Sequence, residues 1–189
     1  MLMVDVDGVI SLFAGAGTLV GTAGEAGDGE ALEGSFHSVE GIPHFLSATA
    51  AAHLLALASL YELVWASGWE ERADEHLPHL LGLPSGLPHL RLDRRVHARR
   101  PPNAAETTAG HWKLEAIERF ASGRPLAWID DALDETCDRW AAARAAPTLL
   151  VATKPEQGLT AREASLLRSW ALELARASEP ARGPELQPG

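Results

Sequence analysis

The chain has 189 residues, 46% of them hydrophobic, and its 16 Lys and Arg against 26 Asp and Glu give a net charge of −10 at pH 7. That length suits one domain able to bury about 70% of the surface its unfolded chain exposes, and the acidic balance argues against broad, non-specific adhesion to nucleic acid or anionic membrane. One cysteine, Cys137, excludes an intrachain disulfide; with no signal-peptide pattern before Asp5 and no apolar run of the ~18 residues a membrane span needs, a reducing, cytoplasmic setting is expected.

The opening stretch, Met1-Leu-Met-Val-Asp-Val-Asp-Gly-Val-Ile-Ser11, reads as a short buried strand that ends in carboxylates. Residues two apart in a strand point to the same side, so Asp5 and Asp7 project together while Gly8 lets the backbone turn away. Carboxylates held that close repel unless a cation lies between them or one is protonated. The pair therefore implies a metal site, or a nucleophile with an acid/base partner. Glycines at 15, 17, 21, 24, 27, 29 and 34 make residues 14–34 a flexible flap, or else the tip of a hairpin that leaves through Leu12 to Val20 and returns through Ser35–Val39. Pro43 sits where a helix can begin, and the Ala- and Leu-rich run His44–Leu60 predicts one.

A second strand, Tyr61–Trp65, is halted by Ala66-Ser67-Gly68. Trp69, Ala73, Leu77, Leu80 and Leu81 then recur at helical spacing, with Pro78 expected to bend or shorten the helix. Leu87–Leu92 predicts a third strand. It leads into the one strongly basic segment, with Arg91, Arg94, Arg95, Arg99 and Arg100 ahead of Pro101-Pro102. His111–Ala121 reads as a helix carrying Lys113 near its start, and a fourth strand over Leu126–Ile129 runs into a second acidic pair, Asp130-Asp131. A helix with Leu133, Cys137, Trp140, Ala141 and Arg144, a fifth strand Thr148–Ala152, and a last helix opened by the capping box Thr160-Ala-Arg-Glu163 follow. Residues 1–177 then form the domain, and the Pro- and Gly-containing tail 178–189 is expected to be disordered.

Alternating strands and helices predict an α/β fold, a Rossmann-like three-layer sandwich around a five-stranded parallel sheet. Ligands of such sheets bind outside the carboxyl ends of the strands, and Asp5, Asp7, Ser67, Asp130 and Asp131 all fall at that edge. The set meets the needs of phosphoryl transfer: a nucleophile, a divalent cation, and fixed positive charge around the phosphoryl oxygens. In that reading Asp5 attacks phosphorus, while Asp7 protonates the leaving oxygen and later activates water. Mg²⁺ would bind Asp5, the Asp7 carbonyl oxygen, and Asp130 or Asp131, a hard-oxygen donor set. Ser67 and the backbone at Gly68 would hold phosphate oxygens at a helix start. Lys113 would neutralise Asp5 and the phosphoryl group, and Arg94 and Arg95 would bind further phosphates of a polyanionic substrate.

Each residue also has a plainer explanation. Asp5 and Asp7 could end the strand in a solvated turn, Asp130 and Asp131 could complement a helix dipole, Ser67 could cap a helix, and Lys113 could be a solvated helix lysine. Asp134 reads as a helix-start acid, the arginines could pair with the excess of acids, and the histidines read as surface or packing residues.

In order along the chain, Asp5-Val-Asp7-Gly8-Val9, Ser67 after Leu63-Val-Trp65, Lys113, and Asp130-Asp131 followed by Asp134 resemble the four motifs of the haloacid dehalogenase superfamily. The resemblance covers about residues 1–175. A second Asp at position 7 is what its phosphatases and phosphomutases carry, which implies phosphate rather than dehalogenase chemistry. Trp65-Ala-Ser-Gly-Trp-Glu70 and Trp128-Ile-Asp-Asp131 are similar to the small domain of Swiss-army-knife RNA-repair proteins and their stand-alone relatives. Members of the superfamily often carry a cap domain, and neither gap between motifs here can hold a full one. An open site suits a phosphorylated partner as bulky as a nucleic-acid end, with the protein a monomer or weak dimer. A receiver-like phospho-acceptor domain and a non-catalytic binding module are the competing classes.

Overall fold

The computed structural model describes residues 1–13, 24–25, 31–92 and 110–178. Strand β1 (Leu2–Val4) is wholly buried, as its unbroken apolar sequence requires of a strand covered on both faces. Two short strands follow, β2 (Ser11–Leu12) and β3 (Gly24–Glu25), then β4 (Ala31–Leu32), β5 (Gly34–Val39) and β6 (Ile42–Ser47). Helix α1 (Ala48–Leu57) leads to β7 (Leu63–Trp65), helix α2 (Glu71–Leu81), and a 3₁₀ turn (Gly110–Lys113) that runs into α3 (Leu114–Ala121). Strand β8 (Leu126–Asp130), helix α4 (Glu135–Ala143), strand β9 (Thr148–Ala152) and helix α5 (Ala161–Ser178) complete the fold.

Strands β7, β1, β8 and β9 make a four-stranded sheet in that order, parallel throughout, with Val4 in register with both Trp65 and Ile129. The period of two sends Leu2 and Val4 to one face, where they pack with Leu54, Leu77 and Leu167 of α1, α2 and α5. Met3 points the other way, into a second cluster with Ile117 and Ala121 of α3 and Cys137 of α4. Helices thus cover both faces of the sheet, and the chain is an α/β protein of Rossmann-like layering. The chain leaves β1 for β7 on one side and returns to β8 on the other, so a crevice opens at the carboxyl end of β1. Among the described residues no helix is long and apolar enough to cross a membrane.

Four expectations change. The strand expected over Leu87–Leu92 contributes only a single parallel bridge, Trp65 with His89, made by Trp65 N–H to the Pro88 carbonyl and Leu90 N–H to the Trp65 carbonyl, each 2.8 Å. Among the described residues the sheet therefore has four strands, not the expected five. The helix expected from His44 begins at Ala48, because Ile42–Ser47 is strand β6, paired antiparallel with β5 and β2. Its two-residue turn has positive φ at both Glu40 (51°) and Gly41 (83°), the backbone that matches strand twist in a tight hairpin. Ser47 then caps α1 by accepting the Ala50 N–H at 3.0 Å. Of the expected outgoing strand Leu12 to Val20, only Leu12 is in a strand among the described residues, as the end of β2, and residues 14–23 and 26–30 of the expected flap lie outside them. Pro78 does not end α2, which continues to Leu81 and closes on Gly82 at φ 68°.

Candidate active site

The carboxyl edge of the sheet gathers the acids that follow β1 and end β8. Asp5 and Asp130 both accept hydrogen bonds from Lys113 Nζ, at 2.6 Å each, through their Oδ2 atoms. All three are almost fully buried, at 6%, 0% and 3% exposure for Asp5, Asp130 and Lys113. Each carboxylate is held on its other oxygen as well: Asp5 Oδ1 accepts the Val6 N–H at 2.8 Å, and Asp130 Oδ1 accepts the Ala132 N–H at 2.9 Å. The Trp128 indole adds a third donor to Asp130, at 3.1 Å from Oδ2. Lys113 lies at the end of the 3₁₀ turn before α3, with its ammonium 5.3 Å from the Trp112 ring centre.

Asp131 joins this cluster and Asp7 flanks it. Ligand atoms of Asp5, Asp130 and Asp131 all lie within 4.8 Å of one another, a hard, all-carboxylate donor set that fits Mg²⁺ better than a soft transition metal. Asp7 is not among those three; its Oδ2 instead accepts the Trp69 indole N–H at 3.0 Å. Between the acids, Gly8 adopts φ +70°, and a Cβ there would lie 2.3 Å from Asp131 Cγ. Glycine is thus required twice over, by conformation and by space. Thr153, just past β9, donates its hydroxyl to the Gly8 carbonyl at 2.8 Å and pins the turn.

Ser67 is buried and accepts the Trp69 N–H at 3.4 Å, so it closes the turn ahead of α2. Gly68 has open space around its missing Cβ, with the Trp112 ring nearest at 4.0 Å. Arg72 braces this turn from outside by donating to the carbonyls of Trp69 and Gly68, at 3.3 Å each. Glu70 takes φ 50°, ψ −126° and accepts the Leu92 N–H at 2.9 Å, tying the turn to the start of the basic segment. Asp134 is the N-cap of α4, accepting from Thr136 and Cys137 N–H. In the basic segment Arg91 is exposed, while Arg94 and Arg95, expected to bind substrate, and Arg99 and Arg100 lie outside the described residues.

Burial pushes Asp5 up to about 7 despite the opposing pull of Lys113, with Asp130 adding to the rise. Burial likewise raises Asp7, against the pull of the Trp69 hydrogen bond, and raises Asp131, helped by the charge of Asp130. For Lys113 burial acts downward, but the attraction of Asp5 and Asp130 outweighs it, so the ammonium stays charged. Among the described residues, the one ammonium of Lys113 is set against the four carboxyl groups of Asp5, Asp7, Asp130 and Asp131.

The sequence pointed to Asp5, Asp7, Ser67, Lys113 and Asp130-Asp131, which come from four separate segments and meet at one edge. It did not point to Trp69 and Trp128 as donors to these acids, nor to Ser11 and His44, whose side chains pair at 2.9 Å beside Asp7. No family model matches the chain, and no curated protein or solved structure matches it with significance. Geometry alone therefore defines its class: an α/β protein with a buried Asp–Lys–Asp cluster at the carboxyl edge of a parallel sheet.

Proposed function

We propose that the protein is a Mg²⁺-dependent phosphomonoester hydrolase working through an aspartyl-phosphate on Asp5, in the manner of the haloacid dehalogenase superfamily it resembles. The observation that carries this reading is Lys113 Nζ at 2.6 Å from both Asp5 and Asp130 in the buried edge of the sheet. Burying three charges is costly, and a purely structural cluster gains little over apolar packing of the same volume. A pre-set cation beside a nucleophilic carboxylate does have a catalytic use.

Asp5 attacks the phosphorus, and the bond to the leaving oxygen breaks as Asp7 delivers its proton there. The raised affinity of buried Asp7 for its proton suits it to be the acid. Water then attacks the phosphorus of the acyl phosphate, Asp7 takes up the proton, and phosphate leaves with the Asp5 carboxylate restored. Lys113 keeps Asp5 oriented and neutralises charge as the phosphoryl group arrives, while Ser67 and the open backbone at Gly68 receive phosphate oxygens. Asp5, Asp130 and Asp131, with the Asp7 carbonyl, are the residues that would hold Mg²⁺, which when bound masks the repulsion between phosphate and carboxylates. Neither gap between the motifs is long enough for a full cap, so the substrate class we favour is bulky and polyanionic, a phosphorylated nucleic-acid end, with Arg94 and Arg95 of the basic segment as its further contacts.

Phosphate release from p-nitrophenyl phosphate, nucleotides, sugar phosphates and 3′- or 5′-phosphorylated oligonucleotides, with and without Mg²⁺, tests the reading. Release should need Mg²⁺ and be abolished by Asp5→Asn; release indifferent to both, or none on any substrate, overturns it.

A further inference from the structure

The hairpin of β5 and β6 has no part in the steps above, yet it delivers a side chain to the edge of the site. His44 on β6 sits half-buried with Nδ1 2.9 Å from Ser11 Oγ. Its ring also stands edge-on against Trp69, with centroids 4.8 Å apart and planes at 69°. Trp69 and Ser11 both adjoin Asp7. The indole donates to Oδ2 at 3.0 Å, and Ser11 forms a backbone bridge with Asp7 across the Gly8 turn.

A serine hydroxyl can give one proton and can also accept, so the bond to His44 fixes the Ser11 rotor in either histidine tautomer. His44 therefore holds two neighbours of Asp7, Ser11 through a hydrogen bond and Trp69 through ring packing. Ser11 is 2% exposed, which leaves little room for solvent to substitute for the imidazole. The hairpin turn that carries His44 is anchored too, through the 2.8 Å pair of Glu40 with Arg72.

We propose that His44 is a positioning residue for Asp7, acting through Ser11 and Trp69 to aim the carboxyl group at the leaving oxygen. This role rests on Asp7 being the proton donor of the hydrolase proposed above. It makes the inserted hairpin part of the acid's support.

The test compares His44→Ala, His44→Asn and His44→Gln on two substrates with different leaving groups, p-nitrophenyl phosphate and an alkyl phosphate ester. A nitrophenolate leaves with little proton help, whereas an alkoxide needs a well-aimed acid. Alanine should lower kcat on the alkyl ester by about tenfold or more, with KM unchanged, and on p-nitrophenyl phosphate by less than roughly threefold. Asparagine, whose amide nitrogen can stand where Nδ1 stands, should restore most of the loss, and glutamine should not. Ser11→Ala should reproduce the leaving-group dependence, and it serves if the His44 variants fold poorly. Equal losses on both substrates in an otherwise active protein overturn the His44 role and leave the hydrolase standing. A wild-type protein that releases phosphate from neither substrate overturns both.

Discussion

At Asp5 the charge balance of the site becomes measurable. Asp5, Asp7 and Asp131 all bind their protons more tightly when folded, chiefly through burial. A carboxyl group of that kind adds stability below its ordinary pKa and loses it as pH rises through the folded value. Metal-free protein should therefore lose melting temperature as pH rises from about 4 to about 7, the interval over which Asp5 is displaced. Asp5→Asn should gain relative to wild type across that same interval in EDTA; a parallel pair of curves contradicts the shift. Gly8 gives a second test. Alanine there meets a positive φ and the Asp131 side chain at 2.3 Å, which should cost about 2–4 kcal/mol in chemical denaturation. On an Asp131→Gly background the cost should fall to about 1–2 kcal/mol, since only the backbone penalty remains. Strand periodicity made Asp5 and Asp130 legible, because buried strands seldom end in acids without a use for them. The same period put Trp128 on the side of Asp130, to which its indole donates. His44 and Trp69 were not legible as partners of Asp7, since they reach it from segments whose approach no local pattern encodes.

Among the elements, the hairpin is where local composition misled. Ala- and Leu-rich sequence after Ser47 is strongly helical, and Pro43 suits a first helical turn, so the helix reads as starting early. The competing signal was Glu40-Gly41, a turn whose first residue bears the strain of φ 51° without being glycine or asparagine. The short β2, two residues long, owes its pairing to β6 rather than to any pattern of its own. Helix α4 tests the division of labour among the acids that follow β8. Asp134 accepts two N–H groups of the first turn, at 2.9 and 3.1 Å, and is not among the clustered ligand atoms. Asp134→Ala should cost about 1 kcal/mol of stability, the ordinary loss of an N-cap, and leave kcat within about twofold; a collapse of Mg²⁺-dependent turnover would move Asp134 into the metal site.

For the molecule as a whole, the parallel sheet, its helical layers and the acidic carboxyl edge were legible because βα alternation and right-handed crossovers leave few topologies open. The fifth strand expected over Leu87–Leu92 is only a bridge, because that apolar run meets the sheet at His89 beside Trp65 alone. Strand order matters more than strand count for the site: β1 sits between β7 and β8, so the chain ends that carry Asp5, Ser67 and Asp130 are neighbours by construction. An unfolded chain has no such convergence, and a cation bound at this edge must therefore stabilise the fold. At a Mg²⁺ concentration a hundredfold above its dissociation constant, linkage amounts to about 2.7 kcal/mol, which for a domain of this size raises the melting temperature by about 5–10 °C. Asp130→Ala should abolish the increment, because it removes one ligand and leaves Lys113 facing Asp5 alone. Lowering the pH should also shrink it, as protons raised in affinity by burial compete for the same oxygens. A melting temperature unmoved by Mg²⁺ at neutral pH would mean that the four acids answer their repulsion with protons and Lys113, and that the edge is not a metal centre.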